Sequence, residues 1–211
     1  MQRFPHFPLV ALPLLAAAIA IGAPVPATAP GSPRAIVDQV TQQAVAVMAD
    51  TTLKAEQKHQ KVMQLANDNL DFSTLAKLSL GLYWRDLDAA KRAQFVPEFK
   101  QHITNTYAHL IDQYTDEQVN VTGERHEPDG DDTVLTSIIG DKDGKRQEVA
   151  KVEYRLRKQG DAWKIIDVTI DSISLATNFR SQFQEIMSNG GIDNLIQLLH
   201  DKNAAASAEN K

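Results

Sequence analysis

Apolar and polar positions follow two periods along the chain, and the change of period divides it. Ile36, Val37, Val40, Ala44, Val47 and Met48 recur at helical spacing and predict a first helix. A more polar helix is predicted over residues 54–70, with Val62, Met63, Leu65 and Ala66 inward. Phe72, Leu75, Leu78 and Leu80 mark a short helix that Asp71 or Ser73 can cap and Gly81 can end. Asp86 or Asp88 then starts a long helix. Its stripe of Phe95, Phe99, Ile103, Tyr107, Leu110 and Ile111 is the clearest amphipathic pattern present.

After Tyr114 the period falls to two, the signature of half-buried strands. Val119 and Val121 open one strand, residues 127–132 make a turn, and 134–139 form a second strand. Asp141-Lys142-Asp143-Gly144 is a hairpin turn. In the third strand Val152, Tyr154 and Leu156 alternate with Glu153, Arg155 and Arg157. Gln159, Gly160 and Asp161 turn the chain into a fourth strand, where Ile166, Val168 and Ile170 alternate with Asp167, Thr169 and Asp171. On the second strand the alternation does not fix the inward parity, and Val134 and Ile138 are the choice made.

Ser172 or Ser174 can cap a following helix carrying Leu175, Phe179, Phe183 and Ile186. Gly190-Gly191 interrupts it before Ile192, Leu195, Ile196 and Leu199. Residues 204–211 have nothing to bury and are expected to be a loose tail. Helices, an antiparallel meander, then helices predict an α+β domain: a twisted antiparallel four-stranded sheet wrapped by N- and C-terminal helices.

The first 27 residues change the picture. A short stretch with one cation, Arg3, precedes an apolar run over 9–21 and then small residues, the tripartite form of a secretory signal. The run is shorter than the ~20 residues a membrane span needs. Cleavage before Thr28 is expected, leaving one domain over 28–203. Losing Arg3 from 22 cations and none of 27 acids leaves a net charge of −6, which disfavours nucleic acid and broad adsorption on an anionic membrane. With no cysteine, an oxidising compartment would add no disulfide.

Catalytic chemistry needs a constellation, and none assembles. There is no thiol, no Gly-rich phosphate loop and no nucleophile elbow. His102 and His109 are two helical turns apart, whereas paired metal ligands on a helix need spacing of three or four. His59, His126 and His200 show no obvious partner. Asp141 and Asp143 fail the calcium-loop spacing because Gly144 comes too early. No metal, no cofactor and no enzymatic activity are therefore expected. Lys151, Arg155 and Arg157 face outward, as a solvated surface or toward phosphate or a partner.

Several blocks carry a resemblance. FSTLAKLSLGLYWR at 72–85, the helix from Phe95 to Leu110 with Thr106-Tyr107-Ala108, and Trp163-Lys164-Ile165-Ile166-Asp167-Val168 are three of them. Ser174-Leu175 followed by Asn178-Phe179-Arg180-Ser181-Gln182-Phe183 is the fourth. In order and spacing they resemble the MlaC-type periplasmic phospholipid-binding proteins, the toluene-tolerance family, over about residues 36–199. Leu75, Lys77 and Phe179 depart mildly from its pattern.

The resemblance implies a soluble periplasmic carrier, expected as a monomer, with a phospholipid cargo held in an apolar pocket between sheet and helices. Its implied partners are an outer-membrane lipoprotein complex (MlaA-type) and an inner-membrane ABC transporter with MCE-domain subunits (MlaD-type). Another lipid cargo such as a hopanoid, or a small hydrolase or isomerase on a cone-shaped scaffold, are the alternatives. The lipid-wall candidates on the sheet are Val134, Ile138, Val152, Tyr154, Leu156, Ile166, Val168 and Ile170. On the helices they are Leu78, Tyr83, Phe99, Ile103, Tyr107, Leu175, Phe179 and Phe183.

Overall fold

The computed structural model describes residues 31–209. The expected signal and the last two residues of the expected tail lie outside them. Helices α1 (Pro33–Ala49), α2 (Ala55–Asn69), α3 (Phe72–Leu80), α4 (Tyr83–Asp86), α5 (Ala89–Tyr107) and α6 (His109–Asp112) come first. Strands β1 (Gln118–His126), β2 (Asp132–Lys142), β3 (Lys145–Gln159), β4 (Ala162–Ile170) and β5 (Ile173–Ser174) follow, and α7 (Leu175–Glu209) ends the chain. The protein is α+β. Its described residues fall into two compact units: 31–71 with 110–172, and 72–109 with 173–209.

The first unit holds α1, α2 and the meander. Ser32 accepts the Ala35 N–H at 3.2 Å and Pro33 occupies the first turn of α1, where a missing N–H costs nothing. One face of α1 buries Val37, Ala44, Val45 and Met48. The sheet is antiparallel in the order β1-β2-β3-β4-β5, one strand more than the four expected, because the two residues of β5 count as a fifth. Between β2 and β3, Asp143 and Gly144 have φ of 58° and 74°, the left-handed pair of a two-residue hairpin.

Three β-bulges interrupt the ladders, at Val121/Gly123, Ile138/Ile139 and Arg155/Leu156. The third alters the expected parity. Arg155 pairs with Asp167 and Leu156 with Ile165, so Ile166 is the extra residue and Ile165 joins the face of Val168 and Ile170.

In the second unit α3, α5 and α7 pack together. Asp88 caps α5 by accepting the Lys91 N–H at 2.7 Å, and Ser174 caps α7 by accepting from Thr177 at 3.1 Å. Gly191, at φ 68°, kinks α7 where the glycine pair predicts a break. Beyond the kink the helix does not loosen at Asn203. That side chain is buried, donates to the Glu98 carbonyl at 3.0 Å and to Glu98 Oε2 at 2.8 Å, and the helix runs on to Glu209.

Candidate functional site

In the sheet unit, five of the predicted wall residues come together. Val134, Ile138, Val152, Tyr154 and Leu156 form one buried apolar cluster with Val37, Ala150 and Ile165, and Val168 and Ile170 pack against it half-buried. Ile166 is buried but belongs to the bulge and not to this face. The Tyr154 phenol is pushed up by desolvation, so it is neutral and can only exchange hydrogen bonds.

In the helical unit, Phe99, Phe179 and Phe183 do not line open space among themselves. With Phe95 they form a ring cluster: Phe99 stacks on Phe95 at 5.5 Å and meets Phe179 and Phe183 edge-on at 5.0 and 5.6 Å. This edge-to-face arrangement follows the ring quadrupoles and fills the space. Ile103 is buried on the same helix, whereas Leu78, Tyr83, Tyr107 and Leu175 stay half-buried.

Arg155 and Arg157 are not free outward cations. Arg155 Nε donates to Asp131 Oδ2 at 2.8 Å, and Arg157 donates from Nε to Oδ1 and from Nη2 to Oδ2, both at 2.7 Å. Arg155 also pairs with Asp129. Asp131 is 1 % exposed. Desolvation pushes its carboxyl up, but hydrogen bonds and charge from Arg157 and then Arg155 outweigh that and hold it below the usual range. Two arginines at i and i+2 share one strand face, so the sequence carried a signal for a common anion, although nothing in it named Asp131.

The histidines also find partners. His59 Nε2 lies 2.9 Å from Asp112 Oδ1, His126 Nδ1 2.5 Å from Asp132 Oδ1, and His200 Nδ1 3.0 Å from Glu98 Oε1. His102 packs against the Phe179 ring, and burial, with a smaller effect from Lys202, lowers its pKa to about 4. Among the described residues no group of three or more acids and histidines could hold a metal ion. No helix among them is long and apolar enough to cross a membrane.

An antiparallel meander with a greasy face, helices carrying half-buried apolar side chains, and acids and histidines engaged in structural pairs define an α+β fold built around apolar surface. The chain belongs to the MlaC family, whose model, described as MlaC protein, matches residues 38–201. It is 25 % identical over 111 residues to the toluene tolerance protein ttg2D of Pseudomonas putida, covering 53 % of this chain and 50 % of that protein. Over 117 residues it is 22 % identical to the intermembrane phospholipid transport system binding protein MlaC of Haemophilus influenzae, covering 56 % and 55 %. The matched stretch thus spans about half the length of these relatives. A phospholipid-binding protein from Ralstonia solanacearum, solved with a phospholipid, shares the fold at a TM-score of 0.69 and 24 % identity, covering 82 % of this chain and 97 % of that one.

Proposed function

We propose that this protein is a non-enzymatic periplasmic carrier that binds a glycerophospholipid by its acyl chains. In this reading residues 1–27 are a cleaved signal and the chain from about residue 28 to the end of α7 acts as one lipid-binding domain. The carrier shuttles lipid between an outer-membrane MlaA-type complex and an inner-membrane MlaD-type transporter, which maintains outer-membrane lipid asymmetry. Membership of the MlaC family across residues 38–201 carries the proposal. Within each unit taken by itself, the half-buried members of the expected wall (Leu78, Tyr83, Tyr107 and Leu175 in the helical unit; Val168 and Ile170 in the sheet unit) are the positions where acyl chains would find partners, because the fully buried members already pack against protein.

Native mass spectrometry of the protein purified from its host tests the reading. A bound mass fitting a two-chain phospholipid is expected; no cargo, or one without phosphorus, refutes it. Val168→Asp separates wall from filler. It should abolish loading and leave a cooperatively folded protein, whereas global unfolding would mean that Val168 only fills the core.

A further inference from the structure

Among the described residues two large aliphatic side chains are exposed, Leu82 and Ile173, and Leu82 shows 73 % of its surface. A single exposed leucine is ordinary on loose chain. Leu82 is held from both sides. Gly81 leaves α3 at φ 57° with its N–H bonded to the Lys77 carbonyl at 3.0 Å. A Cβ on Gly81 would lie 3.2 Å from Arg180 Nε, so the arginine covers the glycine closely. That guanidinium is itself fixed, donating from Nε and Nη2 to the Leu78 carbonyl at 2.9 and 2.6 Å. On the other side the Arg92 guanidinium lies 5.1 Å from the Trp84 ring centre and donates to the Trp84 carbonyl at 3.0 Å.

The result is a rigid tip of unusual composition: an exposed leucine, then Tyr83 and Trp84 half-buried, with Arg85 and Arg180 exposed. Tyrosine and tryptophan favour the boundary between water and hydrocarbon. Arginine matches phosphate oxygens with its planar fork of donors. We infer that the tip formed by residues 81–85 and Arg180 docks on a phospholipid bilayer, with Leu82 entering among the acyl chains and the arginines meeting headgroup phosphates. The inference rests on the carrier reading and adds a direct bilayer contact beside the protein complexes that reading names. The charges agree with a brief contact. A processed chain of net charge −6 is repelled by an anionic surface as a whole, and the exposed Asp86 and Asp88 beside the tip offset Arg85 and Arg180 in part, so the contact is weak and the tip leaves readily.

The chain has no cysteine, so Leu82→Cys offers one thiol for an environment-sensitive fluorophore, and Lys145→Cys on the β2–β3 hairpin serves as control. With vesicles of phosphatidylethanolamine and phosphatidylglycerol, fluorescence should rise and shift to the blue at position 82 and stay constant at 145. In parallel, Leu82→Asp should slow vesicle-to-protein lipid transfer on the order of tenfold, the equivalent of one buried leucine, without changing the lipid mass copurified from cells. A fluorophore at 82 unresponsive to vesicles, or unchanged transfer by Leu82→Asp, overturns the inference. Loss of transfer only when a membrane-protein complex is the donor overturns it in favour of a protein partner. Protein that carries no lipid in any form would refute the carrier reading instead, while the fluorophore still reports docking.

Discussion

Phe99 divides the two readings of the helical unit most sharply. By its place on the amphipathic stripe it is a lipid-wall candidate, yet in the structure it has no exposed surface and touches three rings. Phe99→Ala removes a fully buried aromatic, which costs about 3–5 kcal/mol when surroundings relax only partly. Each lost ring pair carries about 0.5–1.5 kcal/mol already contained in that figure. For a domain of this size about 2–4 °C of Tm follows each kcal/mol, so a drop on the order of 10 °C is expected. The assay is thermal unfolding of delipidated and lipid-loaded protein side by side. A ring that fills the protein's interior lowers both transitions equally and leaves the increment due to lipid unchanged, since that increment depends only on ligand concentration and affinity. A delipidated Tm within about 3 °C of wild type, together with loss of loading, would refute the argument and make Phe99 part of the wall.

Two further predictions concern titrating groups. Asp131→Asn should lower the urea midpoint at pH 7 by an amount equivalent to about 1–3 kcal/mol. This is less than a fully buried pair because Arg155 and Arg157 are 36 and 38 % exposed. The carboxyl is held below its unfolded value near ~3.9, so the stabilisation is present above that pH and disappears as pH falls through the folded value, where wild type and variant converge; equal midpoints at pH 7 would refute it. His102 folds neutral with a pKa of about 4 against ~6.5 unfolded, so stability is full above ~6.5 and falls as the pH drops toward 4, by about 2 kcal/mol after allowing for partial solvent access. His102→Gln should flatten that slope, and an unchanged slope would refute the assignment.

The change of hydrophobic period located the helices and the meander, because local spacing and caps settle both. Ser174, Asp88, Gly81 and the Asp143-Gly144 turn all act where their residue types imply. What escaped is decided by pairing across distance. Ile165 and Ile166 are both apolar, and only the register of β4 against β3 determines that Ile165 shares the face of Leu156. Asp131 looks like a turn residue until two arginines from β3 converge on it. The helix past Asn203 persists because Glu98, over a hundred residues away, binds the asparagine. An amphipathic stripe says which way Phe99 and Phe179 point but not what fills the space they point into.

That distinction bears on how a carrier works without fuel. Two acyl chains contain on the order of 30 methylenes, and exposing them to water costs roughly 24 kcal/mol, so free diffusion across an aqueous gap is negligible. Moving the same chains from a bilayer into an apolar protein interior exchanges one hydrocarbon environment for another, and the net change is small. The barrier lies in the moment of crossing. Any methylene that meets water on the way adds about 0.8 kcal/mol, and four of them slow exchange about two-hundredfold. In the carrier reading, side chains already packed against protein, such as the Phe95–Phe99–Phe179–Phe183 rings, would give stability rather than exchange capacity. The half-buried positions supply the receiving surface in the carrier reading. In that reading a docked tip at Leu82 would hold the carrier at the bilayer surface and so raise the chance of exchange without making the bound state deeper. Weak contact and fast exchange are therefore consistent, and strengthening the tip with a second exposed aliphatic would lengthen residence without improving delivery.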